Sequence, residues 1–265
     1  MDVNRQGSAL PQLRVEPVNR PVLTQRWSDV VFLHWPYDPA VVQRLLPPGV
    51  TVDTHDGSAW IALVPFTMER LRVPGLPPLP FVGSFPEVNV RTYVHAGDRR
   101  GVWFFSLDVD TMLATMAARV GYQLPYCYGR AEHSRGGDTV RSRVRRRWPS
   151  KDGAMADIEI RITGEEAGDD PLVHFLTSRW GLISSSRRGR LRYAPVDHPP
   201  WPLYTGSLVD LNESLIRAAG LPDPVGEPQV LYSPGVDVRV GLPGRLRPAI
   251  APGDGGRSEA DAENR

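Results

Sequence analysis

The stretch FPEVNVRTYV, residues 85–94, alternates two chemistries with a period of two. Because successive side chains of an extended strand point to opposite faces, this alternation predicts a β-strand. One face carries Glu87, Asn89, Arg91 and Tyr93, and the other carries Val88, Val90, Thr92 and Val94. The alternation alone favours buried valines and solvated charges, as in most antiparallel sheets.

Further strand patterns lie on both sides of this stretch. WSDVVFLHW (27–35) and SAWIALVPF (58–66) precede it, and GVWFFSLDV (101–109) follows the loop HAGDRR (95–100), which suits a hairpin. Capping residues and stop signals predict short helices within residues 38–49, 110–121, 169–180 and 210–220. The apolar, proline-rich stretch 72–85 is predicted to pack as a lid. These patterns indicate an α+β fold that is mainly β.

Length and composition set the broad class of the protein. The 265 residues carry a net charge of +1, so no overall attraction to nucleic acid or to a membrane is expected. With one cysteine no intrachain disulfide forms, and no stretch approaches the roughly 18 apolar residues of a membrane span. We expect a cytoplasmic protein with one domain over residues 21–245 and disordered tails over 1–20 and 246–265.

An arginine-rich stretch, RSRVRRRW at residues 141–148, has two interpretations. It resembles a nucleic-acid-binding surface, or it is one strand of a hairpin with MADIEIRI at residues 155–162. The hairpin would set arginines opposite acids, each exposed pair contributing about 0.2 to 1 kcal/mol. We favour the hairpin and expect no nucleic-acid partner.

The sequence contains no complete metal, nucleotide or nucleophile motif. No histidine stands at a metal-binding spacing from another ligand, although a site assembled across the fold from His34, His198 and Glu87 stays open. Cys127 is either a nucleophile or, as is commoner for a lone cysteine, a buried small hydrophobe. No phosphate-binding loop is present, so we expect neither cofactor nor metal.

Two clusters combine aromatic, histidine and proline residues. LHWPYDP (33–39) supplies His34 and Trp35, and DHPPWPLY (197–204) supplies His198 and Trp201. Such side chains beside stiff turns line ligand sites, and they serve equally as packing.

Several motifs together resemble a known family. FLHWP, LPPG, FPEVNVRTYV, GVWFFSLD, LPY, HFLTSRW and HPPWPL, in this order, resemble the YqjF-like bacterial family of unknown function over about residues 22–240. That family is similar to the acetoacetate-decarboxylase-like superfamily. The resemblance implies a strongly curved antiparallel sheet closed into a barrel or cone around a central cavity, with a few short peripheral helices.

The resemblance also assigns candidate residues. Glu87 resembles the cavity glutamate of the decarboxylases, and residues 117–129 resemble the segment that carries their Schiff-base lysine. Here Tyr126 and Cys127 follow Pro125, and the only lysine, Lys151, stands far from that segment. The fold is therefore expected to carry over without the lysine chemistry.

The combined expectation is a small-molecule cavity protein whose Glu87, Asn89, Arg91 face turns inward. As an enzyme it would use Glu87, Arg91 and Tyr126 for acid–base chemistry on a small keto or unsaturated organic acid. Further ligand contacts are predicted for His34, Trp35, Asn89, Tyr93, His198 and Trp201. A non-catalytic binding module and a structural protein with a packed cavity remain alternatives, and pairing of subunits through strand edges such as WIALVPF stays open.

Overall fold

The structure is a computed structural model that describes residues 17–76, 83–112, 119, 121–149, 153–186 and 188–246. Most of the two predicted tails lies outside the described residues, as do the centre of the predicted lid, Lys151 and most of the helix predicted at 110–121.

Strands dominate the described residues, and the helices are short. The strands are β1 (Leu23–Tyr37), β2 (Thr51–Val52), β3 (Ala59–Arg72), β4 (Phe85–Ala96), β5 (Arg99–Val109), β6 (Tyr126–Gly136), β7 (Thr139–Trp148), β8 (Met155–Glu166), β9 (Gly181–Ser185), β10 (Leu191–Asp197), β11 (Tyr204–Glu213), β12 (Gln229–Val240) and β13 (Gly244–Arg245). The helices are α1 (Pro39–Gln43), α2 (Pro171–Thr177) and α3 (Leu215–Ala218). The predicted class, mainly β with few helices, is confirmed.

One strongly curved sheet closes on itself twice. A nine-strand circuit runs through β5, β6, β7, β8, β11, β12, β1, β3 and β4. A shorter circuit replaces β6, β7, β8 and β11 by β9 and β10, which bridge β5 to β12. The sheet is mixed, which corrects the prediction of a wholly antiparallel one, because β5 pairs in parallel with both β6 and β9. The strands common to both circuits form a wall between two interiors.

Strand β4 lies in this shared wall, so both of its faces are buried. Glu87 is 2% exposed on the face toward the shorter circuit, and Val90 is 0% exposed on the other. Val88, Val90 and Val94 pack into one hydrophobic core with residues of β7, β8 and α3. The sequence was interpreted as a choice between a buried polar face and a buried valine face. That choice was wrong, because each face of β4 is buried against its own core.

Helix ends follow the predicted caps at two of the described sites. Asp38 accepts a hydrogen bond from the Ala40 N–H to begin α1, and Asp170 accepts one from the Leu172 N–H to begin α2. The helix predicted at 210–220 is shorter, since residues 210–213 continue β11 alongside β8. Cross-strand pairing there outweighs the capping signal, and Glu213 instead accepts from the Ile216 N–H.

The arginine-rich hairpin is confirmed. β7 pairs with β8 so that Arg141 lies opposite Glu159 and Arg143 opposite Asp157. Arg141 donates two hydrogen bonds to Glu159, at 2.9 Å and 2.8 Å, and Arg145 also contacts Asp157. Much of the positive charge is thus paired along the hairpin. Among the described helices, none has the length and apolar character needed to span a membrane.

A glycine in β12 packs closely against β1, next to the point where the register of β1 shifts against β3. Gly235 pairs with Ser28 and has a φ of +120°, and a Cβ there would collide with the Trp27 carbonyl oxygen. We expect Gly235→Ala to lower the free energy of unfolding by about 2 kcal/mol or more, measured by urea denaturation. Gly97→Ala is the control, because Gly97 has a φ of +61° and no atom within 4 Å of the added Cβ. Equal losses in both variants would contradict the steric explanation.

Candidate functional site

The shorter circuit encloses a cavity of about 490 Å³. Every strand of that circuit contributes to its wall, for example through Phe32, Val64, Glu87, Phe104, Leu182, Val196 and Val240. The wall is mostly apolar, with a few polar groups set into it. A cavity of this size and lining is typical of a small-molecule site.

Glu87 is the buried acid in this wall. The Tyr126 hydroxyl donates a hydrogen bond to its Oε2 at 3.2 Å, and the Asn89 amide donates to its Oε1 at 3.3 Å. Tyr126 comes from β6, whose parallel pairing with β5 places it beside Leu107 and so next to β4. The three predicted residues Glu87, Asn89 and Tyr126 thus meet at the cavity.

Burial sets the acidity of this carboxyl group. Desolvation raises the pKa of Glu87 to about 7, against the lowering effect of its hydrogen bonds from Asn89 and Tyr126. The charge of Asp108 raises the pKa further, and Arg91 lowers it. Near neutral pH Glu87 is therefore present in both protonation states, as a general acid or base requires.

Arg91 is the cation of the cavity. Its guanidinium carbon lies 5.4 Å from the centre of the Phe32 ring and 5.9 Å from that of Tyr93. No carboxylate of the described residues forms an ion pair with it, and its Nε–H is buried without a hydrogen-bond partner. A half-buried guanidinium that lies beside two aromatic rings and has no acid among the described residues is suited to bind an anionic ligand.

Other cavity-lining polar atoms also lack partners among the described residues. They are the Trp27 indole N–H, the Tyr122 hydroxyl and the Asn89 amide oxygen. Buried polar groups in folded proteins are nearly always satisfied, so these atoms are available to hydrogen-bond water or a polar ligand. Together with the Arg91 Nε–H these atoms are mainly hydrogen-bond donors, which favours ligand groups that accept hydrogen bonds.

An aromatic partition closes one side of the cavity. The Trp201 ring stacks on Trp27 with centroids 5.9 Å apart and lies 5.0 Å from the His198 ring. Beyond it is an outer groove of about 450 Å³ beside α2, which shares Thr177, His198 and Trp201 with the cavity wall. The predicted residues His198 and Trp201 therefore separate two spaces.

His34 and Tyr93 lie behind the lining. His34 Nε2 shares a hydrogen bond of 2.7 Å with the Tyr93 hydroxyl. Burial, with the charge of Arg91, lowers the pKa of His34 well below its usual value, so the imidazole is neutral. Because the Tyr93 ring packs near the Arg91 guanidinium, this pair supports Arg91 and is one layer removed from the cavity.

The structure places Trp35 elsewhere, and we exclude it from the proposed site. Its side chain is buried in the other core, and its indole N–H donates to the Gly226 carbonyl at 3.1 Å. The physical reason is the alternation of β1, since residues adjacent to His34 point away from the cavity side.

Sequence reasoning missed Trp27, Phe32 and Tyr122, which line the cavity. By simple alternation Trp27 would share a face with Trp35. Asp29 has a φ of +51°, and the register of β1 against β3 shifts between Ser28 and Leu33. This bulge turns Trp27 to the face of Phe32, and a strand pattern with period two carries no signal of it.

The structure bears on two alternatives that the sequence left open, a metal site and a nucleophilic Cys127. Among the described residues no three His, Cys, Asp or Glu side chains converge as metal ligands, and Glu87 and His34 are instead hydrogen-bonded within the wall. Cys127 is buried, and desolvation raises the pKa of its thiol to about 11. A thiol of that pKa is a weak nucleophile and fits the interpretation as a small hydrophobe.

The buried acid makes stability depend on pH. An unfolded glutamate ionises near 4.5, whereas folded Glu87 holds its proton until about pH 7. Its stabilising effect is complete below pH 4.5 and is lost as the pH rises through 7. We expect the free energy of unfolding of the wild type to fall by up to about 3 kcal/mol relative to Glu87→Gln over that interval, measured by denaturation at each pH. Parallel pH profiles for the two proteins would contradict the assigned pKa.

The pattern of DUF2071, a family of uncharacterised conserved proteins, matches residues 24–237. Over 221 residues the chain is 34% identical to the uncharacterised protein YqjF of Bacillus subtilis (strain 168), covering 82% of this chain and 89% of that one. The predicted resemblance is confirmed.

Solved structures share the fold at low sequence identity. Acetoacetate decarboxylase from Legionella pneumophila superposes with a TM-score of 0.63 at 14% identity, covering 92% of this chain and 93% of that one. The enduracididine biosynthesis enzyme MppR, in complex with pyruvate, superposes with a TM-score of 0.61 at 18% identity, covering 86% and 91%. Identities this low show the common fold alone.

Proposed function

The chain belongs to the DUF2071 family and has an acetoacetate-decarboxylase-like fold, and from this premise we propose that its cavity performs acid–base chemistry on a small keto or unsaturated organic acid. The observation that carries the proposal is the placement, on one strand face, of a buried carboxyl group that titrates near neutrality and a half-buried guanidinium that forms no ion pair with a carboxylate of the described residues. The first can move a proton, and the second can hold an anion.

The spacing of these groups suits a bound acid. Glu87 and Arg91 are four residues apart on β4, so their Cα atoms are separated by about 13 Å along the strand, with Asn89 between them. A substrate carboxylate on Arg91 would place the next carbons across Asn89 and toward the Glu87 carboxyl. The unpartnered Asn89 oxygen and Trp27 N–H face the same space.

In the proposed reaction the Glu87 carboxylate removes a proton from the carbon next to a carbonyl group. The electron pair moves into the carbonyl to form an enolate, whose oxygen is stabilised by the positive charge of Arg91. Tyr126, hydrogen-bonded to Glu87, holds the carboxylate in place. Returning the proton to the same or another carbon completes an exchange or an isomerisation, with no net change of redox state.

Schiff-base chemistry is not part of the proposal. None of the described cavity residues is a lysine, and Lys151, the only lysine of the chain, lies outside the described residues. A Schiff base needs an amine nucleophile in the site, and the cavity wall offers a carboxyl and a guanidinium instead. Neighbours with the same fold therefore do not determine the chemistry here.

A binding function without turnover is the second candidate. The unpartnered donors at Trp27, Arg91 and Tyr122 support capture of an organic acid whether or not a proton moves. An experiment in D₂O separates the two functions. Wild-type protein is incubated with short 2-oxo and 3-oxo acids, and deuterium incorporation next to the carbonyl is followed by NMR. Catalysed exchange supports the enzyme, whereas binding by calorimetry without exchange supports the binding module.

A further inference from the structure

The cavity is larger than a short keto acid requires, and the polar groups of the proposed site lie in one part of it. At roughly 30 Å³ for a group the size of water, 490 Å³ holds about 16 such groups. Pyruvate would leave more than half of that volume empty. An empty apolar cavity lacks the van der Waals contacts that a bound ligand would make, so the volume of the cavity indicates the size of the ligand.

Strand register orders the lining along the axis of the cavity. In the β3–β4 ladder Arg91 pairs with Ala62, Glu87 with Phe66, and Phe85 with Met68. Leu71 then lies five residues beyond Phe66, about 16 Å further along β3. Glu87, Asn89 and Arg91 thus occupy the inner part, and from Phe85 outward the lining of these two strands is apolar except for Arg72 at its outer end.

The outer end opens to solvent. Val73 is 37% exposed and Leu242 is 73% exposed, and both belong to the cavity lining. Leu23 and Val240, which also line the cavity, pair with one another at this same end of the circuit. We call Leu71, Val73 and Leu242 the apolar rim. An apolar channel from a rim to a buried charged end fits a ligand that enters with its polar head first.

We infer that the ligand is a monocarboxylic acid with an extended apolar tail of roughly six to ten carbons, its carboxylate on Arg91 and its tail reaching the apolar rim. This inference rests on the proposed function and deepens it, since the head and reactive carbon occupy the site already described. After a keto acid head takes about six of the 16 positions, about ten remain for the tail.

The opposite orientation has a candidate anchor and must be tested. Arg72 also lines the outer end, is exposed, and donates a hydrogen bond to the Thr24 hydroxyl at 3.2 Å. A carboxylate there would remain in water, where an ion pair contributes little. Arg91 is half-buried, lies beside two aromatic rings and forms no ion pair with a carboxylate of the described residues, so the carboxylate gains more on Arg91 than on the exposed Arg72.

The test is calorimetric binding of butanoate, hexanoate, octanoate and decanoate to the full chain at pH 6. We expect the affinity to rise about fourfold for each added CH₂ until the tail reaches the rim. Arg91→Gln should weaken every acid, and its matched control Arg72→Gln should change none by more than about twofold. Leu242→Asp, at an exposed position, should weaken decanoate about tenfold and leave butanoate unchanged.

Each of the following outcomes refutes one part of the inferred ligand or of its orientation. Equal affinity along the series, with short keto acids still bound or exchanged, refutes the extended tail and leaves the proposed function standing. Binding of 1-decanol as tightly as decanoate refutes the acid head and with it the proposed function. Loss of binding in Arg72→Gln but not in Arg91→Gln refutes the orientation. Circular dichroism checks that each variant is folded.

Discussion

Glu87→Gln is expected to abolish catalysed hydrogen exchange, lowering its rate by a factor of about 10² to 10⁴. Gln keeps the shape of the side chain and can still accept the Tyr126 hydrogen bond seen at 3.2 Å. It has no carboxylate to take a proton. The measurement is the rate of deuterium incorporation next to the carbonyl of the best keto acid, with folding checked by near-ultraviolet circular dichroism.

Glu132→Gln is the matched control. Glu132 lies on β6 with its side chain 59% exposed, paired with Arg130 at 3.5 Å, away from the cavity lining. The Glu132→Gln substitution also removes a carboxyl group from the chain and should leave the exchange rate unchanged. Unaltered exchange in Glu87→Gln, or equal losses in both variants, would refute the role assigned to Glu87.

Asp108→Ala is expected to destabilise the fold by about 3 to 5 kcal/mol and to lower the melting temperature by about 10 °C. Asp108 is 0% exposed and accepts two hydrogen bonds from Arg146, at 2.6 Å and 2.7 Å. This pair ties β5 to β7 behind the cavity wall. Removing the carboxylate leaves the buried Arg146 cation without it. Thermal unfolding followed by circular dichroism measures the change.

Asp223→Ala tests whether burial is the reason for the large destabilisation expected of Asp108→Ala. Arg217 donates two hydrogen bonds to Asp223, at 2.9 Å and 2.6 Å, in nearly the same geometry, but both side chains are more than half exposed. Water replaces an exposed partner at little cost, so the melting temperature should hardly move. A comparable loss in both variants would show that burial does not determine the effect of Asp108→Ala.

Local patterns in the sequence predicted much of this protein. The alternation in residues 85–94 predicted β4, the arginine and acid patterns predicted the β7–β8 hairpin, and aspartates at 38 and 170 predicted helix starts. Each depends on neighbours within a few residues or on a short turn. The 210–220 helix was misplaced because pairing of β11 with the distant β8 overrides local capping.

The functional site shows the same limit of prediction from local sequence patterns. The resemblance pointed to Glu87 and Tyr126, the alternation of the strand added Asn89 and Arg91, and all four line the cavity. Trp35 was misassigned and Trp27 missed because one bulge at Asp29 reverses the alternation between them. No residue type or spacing within β1 indicates that reversal, which appears only in the register of β1 against β3.

The sequence by itself determined the strand-rich class and the strand face of β4 that carries both Glu87 and Arg91. It also determined that the lone lysine stands far from residues 117–129. Only the tertiary structure decided that both faces of β4 are buried. A strand pattern records alternation within one segment, whereas burial depends on which distant strands close around it. Here β9 and β10 complete a second circuit, and that closure turns a polar strand face into a cavity wall. Desolvation inside it then brings the pKa of Glu87 to about 7.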